Sequence, residues 1–124
     1  LDKACAFAAS QGVSEDAAVA WRLAPDMHPL ASQVRFACGL VLEAIHQLRG
    51  VPIPEAVLEL RNEGWNASEQ PGTMAAARTR LMETIAQLDA LPAGALDAGV
   101  DRAIELNLPT GLVFDMTGAQ YVRD

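Results

Sequence analysis

The sequence predicts a single, mainly α-helical domain, and composition and periodicity support this prediction. The 124 residues fit one domain, residues 1–124. Hydrophobic residues make up 51% of the chain but aromatic residues only 5%. The apolar content is therefore dominated by alanine and leucine, which are strong helix formers. Two long stretches also repeat apolar residues at spacings of three and four, the period of one helix face.

Two helices are predicted at the start of the chain. Residues 1–8 place apolar side chains on one face, and Gly12 marks the end of that helix. Ser14 is a typical N-cap residue, and the two acidic residues that follow it suit the positive end of a helix dipole. This second, short helix is expected to end near Ala24, because Pro25 disfavours helical geometry in the residue before it.

The first long helix is predicted over residues 29–49. Its apolar seam is Leu30, Val34, Cys38, Val41, Ile45 and Leu48. The opposite stripe, expected to face solvent, is Ser32, Arg35, Gly39, Glu43 and His46. Gly50 provides a C-cap, and Pro52 and Pro54 prevent the helix from continuing.

A short helix over residues 54–61 and a second long helix over residues 73–91 follow. The seam of the long helix is Met74, Ala77, Leu81, Ile85, Leu88 and Leu91. From residue 103 the period changes to two, and Pro109-Thr110-Gly111 turns the chain, which predicts a β-hairpin. Thr117 and Gln120 form a capping box, so a last helix is expected to begin near Gly118.

Together these elements predict an all-α fold, a four-helix bundle with short connecting helices and a small β-hairpin before the last helix. The chain begins without Met inside a predicted helix and ends just after another begins. We therefore expect both ends to be truncated, with the first and last helices incomplete.

The segment RLAPDMHPLASQV, residues 22–34, resembles the signature of a bacterial family of unknown function. That family is similar to the DinB/YfiT-like helical bundles, a superfamily associated with metalloenzymes. The resemblance extends through the second long helix and the hairpin to the start of the last helix, so it covers nearly the whole chain. It implies a DinB/YfiT-like bundle.

The resemblance also implies that a divalent metal can be held by three histidines, one on the second long helix of the bundle and two on the last helix. This chain has only two histidines, His28 and His46. His46 lies on the predicted helix over residues 29–49, which the resemblance matches to that helix of the bundle, but on its polar stripe, so it is a weak candidate ligand. No metal ligand is carried over, and the residues themselves indicate no cofactor.

Charge and cysteine content restrict the partners. The net charge of −7 argues against nucleic acid, whose phosphates need Lys and Arg. No stretch is long and apolar enough to predict a membrane span, and no signal sequence opens the chain. Cys5 and Cys38 are interpreted as two buried, reduced residues. These observations predict a cytoplasmic protein.

The most distinctive local feature is the segment that contains Arg22, Asp26, Met27 and His28. One interpretation places these residues at the mouth of a pocket between helices that binds a small polar molecule. The other interpretation, which we favour from the sequence, is a helix junction. In the junction, Pro25 breaks one helix, Asp26 caps the next and pairs with Arg22, and Met27 fills the core.

The sequence is compatible with three functions, and it does not determine whether the protein is an enzyme. The favoured one is a non-catalytic bundle that binds a small molecule or acts as an accessory protein. The first alternative is a metal-dependent enzyme of the thiol-transferase or hydrolase type, implied only by the DinB/YfiT resemblance. The second alternative is a structural interaction module. A homodimer is expected from the general frequency of symmetric dimers.

Overall fold

The computed structural model describes residues 1–108 and 110–123, and within them the protein is mainly helical with one two-stranded antiparallel hairpin. The elements are α1 (Asp2–Ser10), α2 (Glu15–Ala18), α3 (Leu30–Arg49), α4 (Glu55–Asn66), α5 (Met74–Asp89), a 3₁₀ turn (Asp97–Gly99), β1 (Ala103–Asn107), β2 (Val113–Thr117) and α6 (Gly118–Arg123). The predicted long helices and hairpin are confirmed. Pro109 of the predicted turn and Asp124 lie outside the described residues.

The second helix is shorter than predicted, because the chain leaves the helical conformation soon after Ala18 and not near Ala24. Backbone carbonyls that follow α2 accept hydrogen bonds from the first residues of α3. Leu30 N donates to Trp21 O and Ala31 N donates to Val19 O, both at 2.9 Å. The first N–H groups of a helix have no partner within it, so these two bonds satisfy the start of α3 and hold the segment in place.

Helix α4 is longer than predicted and continues through Gly64 to Asn66. A Cβ atom at Gly64 would lie 2.5 Å from Cε1 of Phe36 on α3. The missing side chain therefore lets the two helices approach closely, so this glycine serves packing and does not end the helix.

Helix α3 lies at the centre of the domain, with α4 and α5 packed against it. The core contains Cys5, Ala8, Val19, Val34, Cys38, Leu42, Ile45, Val57, Leu60, Met74 and Ala77. Both cysteines are free and buried, as predicted.

The prediction that one stripe of α3 faces solvent is wrong. Ser32, Arg35 and Glu43 are all less than a tenth exposed, whereas Val41 of the predicted seam is 40% exposed. Helix α4 covers the polar stripe, and salt bridges from α4 reach its two charged residues, Arg35 and Glu43. A buried charge is tolerated when it is paired in this way.

Glu63 connects the three long helices. Its carboxylate accepts hydrogen bonds from Arg80 on α5, at 3.0 Å from Nε and 2.6 Å from Nη2, and lies 3.7 Å from Nε of Arg35 on α3. These hydrogen bonds from Arg80 to Glu63, together with one from Arg80 to Glu83, raise the pKa of Arg80. This network fixes the distances between α3, α4 and α5.

The hairpin and α6 attach to the C-terminal end of α3. In the hairpin, Ile104 is paired with Met116 and is buried. Arg102 Nε donates to Leu48 O at 3.0 Å, which satisfies a carbonyl in the last turn of α3. The predicted capping box is confirmed, since Thr117 N donates to Gln120 Oε1 at 2.8 Å. From this attachment β1, β2 and α6 extend along the second half of α3, and a cleft lies between them.

Candidate functional site

The main cleft consists of two adjoining hollows, of about 380 Å³ and 850 Å³, between α3, α4, the hairpin and α6. The hollows adjoin because both are lined by Leu40, Glu43, Arg61 and Trp65. The smaller one extends toward His28, Phe36, Gly39 and Val57, and the larger one extends toward Val41, Ala44, Leu106, Asn107, Leu108, Phe114, Met116, Tyr121 and Val122. Most of these side chains are apolar or aromatic.

An ion pair lies in the wall of the main cleft. Arg61 on α4 donates through Nη2 to Oε2 of Glu43 on α3. The Glu43 side chain is 11% exposed and the Arg61 side chain 50% exposed, so the carboxylate lies deep and the guanidinium reaches toward solvent. The close approach of α3 and α4 brings the two residues together, and the contact occupies only part of the bonding capacity of each group.

Tyr121 on α6 faces the same ion pair. Burial raises the pKa of its phenol, and the negative charge of Glu43 raises it further, while Arg61 acts in the opposite direction. The phenol is therefore a neutral hydroxyl over the ordinary pH range, able to donate or accept a hydrogen bond within the cleft.

The rings of His28, Phe36 and Trp65 line the smaller hollow of the main cleft. The centroid of His28 lies 5.1 Å from that of Phe36 and 5.0 Å from that of Trp65, and all three pairs of rings are T-shaped. His28 Nδ1 is 2.7 Å from Ser68 Oγ, which fixes the orientation of the imidazole. The other ring nitrogen, Nε2, makes no hydrogen bond to the part of the chain that the structure describes.

A separate hollow, the loop pocket, brings together three of the four predicted ligand-binding residues. It has a volume of about 590 Å³ and is lined by Trp21, Arg22, Leu23, Met27, His28, Leu30 and Gln33. Asp26 is exposed and is not part of this lining. His28 alone contributes to both the loop pocket and the main cleft.

Arg22 does not pair with Asp26 as the junction interpretation expected. Its guanidinium donates instead to two carbonyls, Met27 O and Ser68 O, each at 2.6 Å. Arg22 therefore connects the loop before α3 to the end of α4. The distance in sequence between residues 22 and 68 explains why local spacing could not predict this contact.

His46, the weak metal candidate, lies away from the main cleft. Its Nδ1 is bonded to Leu42 O at 2.7 Å, one turn earlier on α3. Within residues 1–108 and 110–123, no three His, Cys, Asp or Glu side chains converge as a ligand set. With only two histidines, the chain does not supply the three-histidine set that the resemblance implies.

Sequence reasoning missed Arg61, Tyr121 and Phe114 as site residues. They come from three different elements, and no local motif relates them. One sequence feature could have indicated the contact between α3 and α4. Gly39 on α3 and Gly64 on α4 are small residues of the kind that permits close helix packing. That packing brings Arg61 opposite Glu43.

This arrangement defines a class of protein: a mainly helical domain with a β-hairpin and an apolar cleft that contains an internal ion pair. The chain belongs to the family described as Domain of unknown function (DUF1993), whose family model matches residues 1–124. Neither the curated proteins nor the solved structures gave a significant match. None of the helices in the described part of the chain is long and apolar enough to cross a membrane.

Proposed function

We propose that this domain binds a small, largely apolar molecule in the main cleft and does not transform it. The observation that carries this proposal is a paired Glu43 and Arg61, with Tyr121 beside them, set into walls that are otherwise almost entirely apolar. Small-molecule sites typically have this composition, in which apolar walls supply affinity and a few placed polar groups supply orientation.

The size and rigidity of the cleft support the proposal. Its larger hollow, at about 850 Å³, lies within the usual range for ligand pockets of roughly 300–1,000 Å³. The walls come from regular elements that the Glu63 network and the capping box of α6 hold in place. A preformed site of this kind loses little conformational entropy when it binds a ligand.

A neutral, environment-sensitive dye such as Nile red tests the proposal directly. We expect its fluorescence to increase and shift to shorter wavelength in the presence of the protein. Ala44→Trp should abolish this signal, because Ala44 lines the larger hollow and an indole there would fill it. Ala37→Trp is the matched control, since Ala37 is an exposed residue of the same helix.

If Ala44→Trp and Ala37→Trp reduce dye binding equally, the dye binds elsewhere and the proposal is wrong. Circular dichroism and the urea midpoint of each variant would show whether the fold is intact. A folded Ala44→Trp protein that binds the dye as the wild type does would also contradict the proposal.

We further propose that the fold is a DinB/YfiT-like bundle of a bacterial, cytoplasmic protein. Support comes from the order of two long helices, a hairpin and a last helix, and from the two free cysteines. An experimental structure of the natural-length protein tests the fold, and metal analysis of that protein tests the metal-dependent alternative. The homodimer stays a prediction, which sedimentation equilibrium can test.

A further inference from the structure

We infer that the ligand of the main cleft is a neutral, planar heteroaromatic compound that carries a cyclic amide, or lactam, edge. This inference rests on the proposed function and specifies its ligand class.

The charge of the cleft favours a neutral ligand. Among the described residues that line it, Glu43 and Arg61 carry opposite formal charges that cancel, and His28 and Tyr121 are the other titratable residues. An anion or a cation would bring a second, uncompensated charge into apolar surroundings, where desolvation is costly. It would also compete with one partner of the existing pair for the other. A neutral ligand avoids both costs.

The hydrogen-bonding pattern favours a lactam edge. The Glu43 carboxylate only accepts hydrogen bonds and the Arg61 guanidinium only donates them, and the two groups are in contact. The wall of the cleft therefore presents an acceptor next to a donor. A lactam has a carbonyl next to an N–H, so its carbonyl can accept from Arg61 while its N–H donates to Glu43. Bonds to charged groups are stronger than those between neutral groups.

The aromatic residues favour a flat ring. Trp65 lines both hollows and is 58% exposed, although it is one of the largest apolar side chains of the protein. Its ring contacts with His28 and Phe36 are T-shaped, so neither ring is stacked parallel to the indole. A planar ligand that binds in the cleft can stack against this indole and remove it from water.

The test uses three probes with the same two-ring skeleton and different charge. They are 2-quinolone, a neutral lactam, quinoline-2-carboxylate, an anion, and N-methylquinolinium, a cation. Binding is measured by isothermal titration calorimetry and by the fluorescence of Trp65 in a Trp21→Phe background. We expect 2-quinolone to bind about tenfold more tightly than either charged probe, a difference that one unfavourable charge contact can produce.

The outcomes separate the ligand class from the proposed function. If a charged probe binds as tightly as 2-quinolone or more tightly, the inferred class is wrong and binding in the cleft stands. If none of the three binds while Nile red does, the inferred class is again wrong. If neither the probes nor Nile red bind to the folded protein, the proposed function fails as well.

Two substitutions provide a reciprocal check. Glu43→Gln leaves the cleft with the positive charge of Arg61, so the preference should change to quinoline-2-carboxylate. Arg61→Met leaves the negative charge of Glu43, so the preference should change to N-methylquinolinium. Glu55→Gln, at an exposed position of α4, changes the net charge of the whole chain by the same amount as Glu43→Gln. It should leave the preference for 2-quinolone intact. Equal shifts in Glu43→Gln and Glu55→Gln would overturn the inference.

Discussion

The carboxylate of Glu43 and the guanidinium of Arg61 meet across the α3–α4 interface, the first largely buried and the second half exposed. This asymmetry has an energetic consequence. Removing the exposed partner leaves a buried charge without compensation. The resulting loss in the free energy of unfolding is larger than the net contribution of the pair. The pair should therefore respond differently to single and double substitution.

Arg61→Met should lower the free energy of unfolding by about 2 kcal/mol, since the remaining Glu43 carboxylate is left largely buried and unpaired. The double variant Glu43→Leu with Arg61→Met should recover most of that loss, because both charges are then removed. Urea denaturation followed by circular dichroism measures both values. Arg49→Met, at an exposed position of α3, is the control. A double variant less stable than Arg61→Met would contradict this explanation.

Tyr121 is the single tyrosine of the chain, so its ionisation can be followed by near-ultraviolet absorbance without overlap from other phenols. Burial and the charge of Glu43 raise its pKa, so the titration should lie above the ordinary value of about 10. Glu43→Gln should lower this pKa, and Arg61→Met should raise it further. A titration unaffected by either substitution would show that Tyr121 does not face the ion pair.

The same shift predicts how stability depends on pH. A raised pKa means that the folded protein holds the phenol proton more tightly than the unfolded chain does. The contribution of Tyr121 to stability is therefore fully present below about pH 10 and is lost as pH rises through the pKa of the folded state. Tyr121→Phe should reduce the loss of stability in this alkaline range. An identical alkaline profile in Tyr121→Phe would contradict the assignment.

Gly64 and Gly39 offer a matched comparison within the α3–α4 interface. A Cβ atom at Gly64 would lie 2.5 Å from the Phe36 ring, whereas one at Gly39 would have its nearest neighbour at 3.8 Å. Gly64→Ala should therefore destabilise the protein by about 1–3 kcal/mol through overpacking. Gly39→Ala should be neutral or stabilising by up to about 1 kcal/mol, because alanine favours the helix. Thermal melts measure both, and equal effects would contradict the close approach at Gly64.

Asp16 caps a helix that is distant in sequence. Its Oδ1 accepts a hydrogen bond from Met74 N, the first residue of α5, at 2.8 Å. Asp16→Ala should cost about 1 kcal/mol, the usual effect of losing an N-terminal cap, and Asp16→Asn should retain most of the stability because it keeps the acceptor. Chemical denaturation compares the two variants. Equal losses in both would indicate that the charge matters and the cap does not.

Arg22 should act as a structural connection between the loop before α3 and the end of α4. Arg22→Ala removes two charge-assisted hydrogen bonds at an exposed site, so it should lower stability by about 1–2 kcal/mol. The affinity of the main cleft for Nile red should stay nearly unchanged. Denaturation and dye titration on the same preparation test both points. Lost affinity at unchanged stability would favour the loop pocket as the ligand site.

The sequence by itself determined the elements whose causes are local. The helical periods of α3 and α5, the αL glycine after α3 and the capping box of α6 each depend on residues within a few positions of one another. The predicted seams were only partly correct, since Val41, Ile85 and Leu88 are exposed. A helix period, a cap or a turn is decided within such a distance. The start of α6 at Gly118 was predictable for this reason, since Thr117 and Gln120 satisfy each other.

Only the tertiary structure decided which polar residues are buried and where the cleft lies. Glu43 was predicted to face solvent, because periodicity separates polar from apolar positions but does not show that a partner from another helix will cover a polar one. Arg61 and Trp65 belong to α4 and Tyr121 belongs to α6, so α3, α4, the hairpin and α6 must pack before these residues share a site. Their juxtaposition depends on contacts between distant residues, which local sequence patterns do not specify.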